Sequence, residues 1–259
     1  MSLKPAQKSD LGKSWMNPRR DNPKRIHPEY HLIVTEGAKT EPNYFSGMMD
    51  AINRYHPKRI YLEIEGTGYN TTSLFERAQQ LTADFANGYQ HVWVVYDTDD
   101  FPAEHINETV QRCKDISSDE TKYHAVWSNQ CVELWFLLHF SFFQSDIERS
   151  EYFPKLNEQM KARRLGAYRK NRNDMYQVLL PYLDDAIRNA KKLAVINKGQ
   201  TASRCCAGNR GVPFGRKAEA IPGSCGAGEV ITMAACSFRN QTHLPEQYSR
   251  AGVWASTTH

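Results

Sequence analysis

The chain has 259 residues, 33 Lys+Arg against 29 Asp+Glu, a formal net charge of +4 and 40% hydrophobic side chains. That composition is enough for a buried core and excludes a chain disordered throughout. Met1–Asp10 carries Lys4 and Lys8 but no apolar run, so no secretory leader is expected. The longest apolar stretch, Leu134–Phe143, covers about half a membrane span and contains His139 and Ser141. A cytoplasmic protein without membrane contact is expected, and six cysteines in this setting do not form a disulfide framework.

The net charge is unevenly divided. Residues 1–28 carry 7 basic and 2 acidic side chains, residues 29–194 carry 19 and 24, and residues 195–259 carry 7 and 3. The first segment, with Pro5, Pro18, Pro23 and Pro28 and no periodicity, reads as a flexible basic arm. From Tyr30 the pattern changes. His31–Thr35 is a β-rich run, a helical pattern follows from about Pro42 to Tyr55, and Ile60–Ile64 is a second strand ending at Gly66-Thr-Gly68. Asn70 or Thr71 can cap a helix to about Asn87, with Leu74, Ala78, Leu81 and Phe85 on one face. Val92–Tyr96 reads as a strand buried on both faces, followed by a helix at about 103–116 and a strand at Tyr123–Trp127. Val132–Phe140 predicts an apolar helix. Further helices are expected near 152–164 and 173–193, the last broken before Pro181.

Strands alternating with helices from residue 30 to about 140 predict an α/β fold, a mainly parallel sheet flanked by helices. The expected division is a 29–145 α/β domain, a 146–194 helical extension and an atypical 195–259 tail without expected order. That tail holds 8 of the 15 glycines and 4 of the 6 cysteines, and its cysteines lack zinc-type spacing.

In parallel sheets functional groups gather at the carboxyl ends of strands. The first strand here ends in Thr35-Glu36-Gly37, the central one in Asp97-Thr98-Asp99-Asp100, and the last leads through Ser128-Asn129 to Glu133. Adjacent carboxylates repel unless a cation lies between them, and an oxygen-rich, thiol-free grouping suits Mg²⁺ or Mn²⁺. A second reading of Asp97–Asp100 is a solvated turn that caps the next helix. Carboxylates at two strand ends of one parallel sheet favour the metal site.

A strand ending in Glu-Gly and a later one ending in Asp-x-Asp resemble the TOPRIM domain of topoisomerases, DnaG-type primases and OLD-family nucleases. Three ordered blocks, Val34–Phe45, Val95–Asp100 and Ser128–Phe140, together resemble the RloB/AbiLii family over about residues 26–194. Those are TOPRIM-like proteins of bacterial restriction-associated and abortive-infection loci. The resemblance implies a TOPRIM-like domain and metal-dependent phosphodiester cleavage. Within it, Glu36 acts in acid/base chemistry or joins the metal shell, Asp97 and Asp99 bind the metal, and Asp100 contributes from the loop. Glu133 is either a further ligand or a tether that holds its helix in place by pairing with a basic residue. It also implies an ATPase partner from the same locus, from which any ATP dependence would come, since this chain has no nucleotide-binding loop of its own.

Nucleic acid, DNA or RNA, is the expected substrate. Lys161, Arg163, Arg164, Arg169, Lys170 and Arg172 put six basic residues within twelve positions, as phosphate-contacting clusters do, or as a solvated helix–loop face does. Lys39, in the turn after Glu36, is a candidate phosphate contact or a solvated loop lysine. Gly66-Thr-Gly68 matches neither nucleotide-binding fingerprint and reads as a tight turn before a capped helix. Trp135, Phe136, Leu138 and Phe140 read as core, and the nine histidines show no metal-type spacing. Two rival functions stand beside the nuclease. One is a non-catalytic module binding nucleic acid or a partner. The other is a haloacid-dehalogenase-like phosphatase using Asp97 as nucleophile, in which Asp-x-Asp would usually follow the first strand.

Overall fold

Four segments rich in β-branched and aromatic residues pair into one parallel sheet: β1 (Glu29–Thr35), β2 (Ile60–Gly66), β3 (His91–Asp97) and β4 (Lys122–Ser128), in the order β2-β1-β3-β4. The computed structural model describes residues 28–55, 57–98, 103–128, 130–143 and 147–196. The basic arm up to residue 27, the tail from 197, and Asn129, Asp99 and Asp100 lie outside the described residues.

Burial along each strand follows from its place in the sheet. In central β1 and β3 the runs His31–Thr35 and Val92–Tyr96 are buried continuously, as parallel strands covered on both faces are. Edge strand β2 alternates instead, with Ile60 and Leu62 buried and Tyr61 and Glu63 exposed. Two separate cores result. On one face Leu32, Val34, Val92, Val94 and Tyr96 pack against α2 (Thr71–Asp84) and α3 (Ala103–Ile116). On the other, Ile33, Trp93, Val95 and Val126 pack against α1 (Thr40–Tyr55) and against the later helices α4 (Glu133–Leu138), α5 (Arg149–Ala162), α6 (Met175–Leu179) and α7 (Leu183–Ile196). The fold is α/β, as the alternation of elements predicts.

Local chemistry sets the boundaries. Asn70 caps α2 by accepting the Ser73 amide at 3.1 Å, so of the two candidate caps it is Asn70 that serves. That helix ends at Asp84, short of Asn87, because Phe85 turns extended and stacks on Tyr89 at 4.4 Å. The break before Pro181 is a 3-10 turn at Leu180–Tyr182 between α6 and α7. Trp135, Phe136 and Leu138 are core, Phe136 being fully buried, and Phe140 packs at the edge of the same cluster. Their polar atoms are satisfied: Trp135 Nε1 donates to the Tyr44 hydroxyl at 3.0 Å, and Asn189 Nδ2 donates to the Leu138 carbonyl at 2.9 Å.

Among the described residues, no helix is long and apolar enough to cross a membrane.

Candidate functional site

The chain leaves β1 toward β2 on one side and later returns to place β3 on the other, so β1 and β3 flank the point where the strand order reverses. In open α/β sheets ligands bind in a crevice at such a point, outside the carboxyl ends of the strands. Glu36 and Asp97 stand on its two sides. The Glu36 amide donates to the Val95 carbonyl at 2.9 Å, continuing the strand pairing by one residue. In return the Asp97 amide donates to the Glu36 carboxylate at 3.2 Å, so the carboxylate of one strand end is held by the main chain of the other.

The turn that carries Glu36 is pinned from several directions. Thr35 Oγ1 donates to the Gly37 carbonyl at 2.8 Å, and the Gly68 amide donates to the Glu36 carbonyl at 2.8 Å. Gly66-Thr-Gly68 thus serves as a bracing turn. Gly66 leaves room for it, since a Cβ there would lie 2.7 Å from Pro42 Cγ and 3.0 Å from the Gly37 and Ala38 carbonyl oxygens. Gly37 leaves room for a different group: a Cβ there would fall 1.9 Å from Glu41 Oε2. The glycine of the Glu-Gly pair is therefore a seat for the side chain of Glu41.

Glu41, in the first turn of α1 and 7% exposed, is a member of this site that the sequence reading missed. Burial raises its carboxyl above the ordinary value and Glu133 adds repulsion, while Arg149 and Lys170 oppose both. Asp97 is raised well above its ordinary value, by burial first and then by Glu41 and Glu36, with Glu133 adding and Arg149 opposing. Four carboxylates thus share one field with two nearby cations. Glu133 is buried at the start of α4 and accepts the Tyr168 hydroxyl at 2.8 Å. Its tether is a phenol from the basic loop, where the sequence suggested a basic side chain. Burial and the Glu133 carboxylate push the Tyr168 phenol up, which keeps it a donor.

Among the described residues, the oxygens of Glu36, Glu41, Asp97 and Glu133 do not close into a cage with any three atoms within 4.8 Å. Mg²⁺ rarely needs such a cage. It retains several waters and takes one or two protein carboxylates together with substrate phosphates. An open, all-oxygen, mutually repelling set fits a hard divalent cation on those grounds.

The basic stretch divides into two groups. Arg163 Nη1 donates to the Gln159 carbonyl at 3.1 Å and Nη2 to the Phe140 carbonyl at 3.3 Å, and its guanidinium lies 4.8 Å from the Phe140 ring centre. Arg172 pairs with Asp174 at 2.6 Å and donates to the Ala167 carbonyl at 3.1 Å. These two guanidiniums hold the loop together. Arg164, Arg169 and Lys170 are exposed, and among the described residues their side chains have no hydrogen bond or ion pair. The loop docks beside Glu41, since Thr40 Oγ1 donates to Asn171 Oδ1 at 3.0 Å and Asn43 Nδ2 donates to the Asn171 carbonyl at 3.0 Å. Lys39 is exposed in the turn between Glu36 and α1.

A second cluster lies at the opposite, amino end of the same strands. Glu29, His31 and His91 bring one potential ligand atom each within 4.8 Å of one another, a possible metal-binding triad. No motif announces it, because its members meet through register: His31 lies opposite His91 across β1 and β3.

Searches of curated proteins and of solved structures find no match. A family model described as RloB-like protein matches residues 31–210, which include Glu36, Glu41, Asp97, Glu133 and the whole basic loop. On that match, over more than half its length, the chain belongs to the RloB-like family.

Proposed function

We propose that this protein is a metal-dependent nuclease of TOPRIM type that cleaves phosphodiester bonds in DNA or RNA, in bacterial defence against phage or foreign nucleic acid. The observation that carries this reading is the pairing of Glu36 with Asp97 across the switch point of the sheet, the Asp97 amide held on the Glu36 carboxylate at 3.2 Å. Asp97, Asp99 and Glu36 would hold Mg²⁺ or Mn²⁺, with Asp100 and Glu133 as further oxygens. When bound, the cation offsets charge that builds on the phosphoryl oxygens and lowers the pKa of a bound water.

The chain's own groups supply the rest. Asp97, its carboxyl raised by burial and by Glu41 and Glu36, would hold the cation in its ionised form. Glu36 is restrained in one orientation by the Asp97 amide, a requirement for a carboxylate that moves protons at the nucleophile or leaving group. Exposed Lys39 lies in the turn after Glu36, Lys170 acts on Glu41, and Arg164 and Arg169 are exposed on the same stretch as Lys170, cations suited to holding a polyanion whose charge the carboxylates would otherwise repel. A cytoplasmic setting and an ATPase partner from the same locus belong to the same proposal.

The test is cleavage of single- and double-stranded DNA and of RNA by the full chain, alone and with such an ATPase. Wild type and Asp97→Ala are compared with Mg²⁺, with Mn²⁺ and with chelator. Metal-dependent strand cleavage lost in Asp97→Ala is expected. No cleavage under any condition would leave a binding module, and phosphomonoester turnover without strand cleavage would indicate a phosphatase.

A further inference from the structure

At the amino end of the sheet three strands contribute to one polar cluster on the face shared with α1. Glu29 Oε2 lies 3.3 Å from His31 Nε2, and His91 Nδ1 lies 3.0 Å from His124 Nε2 on β4. The rings of His31 and His91 stack at 4.8 Å, and Trp93 Nε1 donates to His31 Nδ1 at 3.4 Å. His31 is fully buried, and His124 sits against the Trp93 ring at 4.0 Å. Full burial is costly for the His31 imidazole unless its nitrogens are bonded, whereas the Glu29 side chain beside it is 40% exposed.

We propose that Glu29, His31 and His91 form a binding site for a borderline transition metal of the Zn²⁺ class, separate from the carboxylate crevice at the other end of the same strands. The donor set, two imidazoles and one carboxylate, is one that Zn²⁺ takes and that Mg²⁺ does not favour. The geometry is close. Ligands about 2.0–2.1 Å from a tetrahedral ion are about 3.3–3.4 Å apart, the separation already present between Glu29 and His31. All three ligand atoms lie within 4.8 Å of one another, so one ligand must close by at most about 1.5 Å, and His91, partly exposed at the strand start, can turn to do so.

One surrounding bond suits metal entry and another must give way. In the tautomer where His91 Nδ1–H donates to His124 Nε2, His91 Nε2 keeps its lone pair, and His124 acts as the outer partner that ligating histidines usually have. Trp93 can only donate, so neutral His31 carries its proton on Nε2, facing Glu29. Metal entry at Nε2 moves that proton to Nδ1 and breaks the Trp93 contact. The proton count is unchanged, and Trp93 becomes a reporter. Burial lowers His31 to about 3 and His124 to about 4, so both imidazoles are neutral near pH 7, the form that serves as ligand or acceptor.

Full-length protein, stripped with chelator and kept in excess Mg²⁺ to occupy the carboxylates, is titrated with Co²⁺ and then Zn²⁺. Visible Co²⁺ absorption, indole fluorescence and far-ultraviolet circular dichroism are followed in wild type, Glu29→Gln, His91→Gln and Asp97→Asn. The site requires one Co²⁺ per chain with nitrogen/oxygen-type bands, displacement by Zn²⁺ and a change in indole emission. Affinity should fall at least about tenfold in Glu29→Gln and His91→Gln and stay unchanged in Asp97→Asn. Several results would overturn it: no wild-type absorption, equal binding in both triad variants, loss in Asp97→Asn, or the intense near-ultraviolet bands of thiolate ligands. If one triad variant does not fold, the other decides. If neither folds, paramagnetic shifts of histidine ring protons in wild type decide, their absence counting against the site.

Discussion

At the carboxyl ends of β1 and β3 the titratable groups are carboxylates, Glu36 and Asp97 with Glu41 and Glu133 beside them, whereas at the amino ends of the same strands they are the imidazoles of His31 and His91 with Glu29. Glu41 and Glu133 are buried, and Lys170 of the basic stretch acts on Glu41. The imidazoles are packed under aromatic rings and bonded across strands. The carboxyl end gathers four carboxylates against Arg149 and Lys170, an excess of negative charge. The amino end buries His31 fully but leaves the Glu29 side chain 40% exposed. One sheet therefore separates an oxygen-rich environment from a nitrogen-rich one.

The separation can be broken most severely at Asp97. Asp97→Ala should lower metal-dependent cleavage by at least about a hundredfold, the scale of several kcal/mol of transition-state charge stabilisation, measured as single-turnover rates. Glu36→Gln should cost about 10²–10⁴-fold if it moves protons, with substrate binding largely kept. His91→Gln, by contrast, should leave cleavage unchanged, and a parallel loss would show the two ends to be coupled.

Arg169→Ala with Lys170→Ala should weaken nucleic-acid binding and flatten the salt dependence of log K by about 1 per residue removed, read from titrations at several salt concentrations. Arg163→Ala should change the salt slope little and lower stability instead, because its guanidinium is bonded to carbonyls and stacked on Phe140.

The smallest effect concerns pH. The Asp97 carboxyl is raised in the folded state, so its contribution is fully present below the ordinary value of 3.8 and is lost as pH rises through the folded value. Metal-free Asp97→Asn should therefore melt above metal-free wild type at pH 8. The gap should close as the pH is lowered toward the ordinary carboxylate range, and Mg²⁺ should close it at pH 8 by raising wild type. Equal melting at all pH values would mean the carboxylates do not repel one another.

Much of the carboxyl end was legible in the sequence, because strand-end carboxylates follow from local patterns: Glu36 ends a run of β-formers and Asp97 another. The helices were legible from periodicity, and their ends less so, since Phe85 stacking on Tyr89 and the start of α5 at Arg149 depend on packing. Glu41 was hidden because a first-turn glutamate is ordinary on a helix, and only the missing Cβ of Gly37 turns it inward. The basic run gave its charge but not its division. Arg163 and Arg172 differ from Arg169 and Lys170 only in what folds against them. The histidine cluster was invisible because sequence spacing cannot express cross-strand register, which alone sets His31 opposite His91.

The most direct measurement is Mn²⁺ binding followed by electron paramagnetic resonance, with and without a DNA or RNA oligonucleotide, in wild type, Asp97→Asn and His91→Gln. A cation site at the carboxyl end predicts Mn²⁺ bound by wild type and His91→Gln and lost in Asp97→Asn. Mn²⁺ bound equally by Asp97→Asn, or not bound by wild type even with the oligonucleotide, would contradict it.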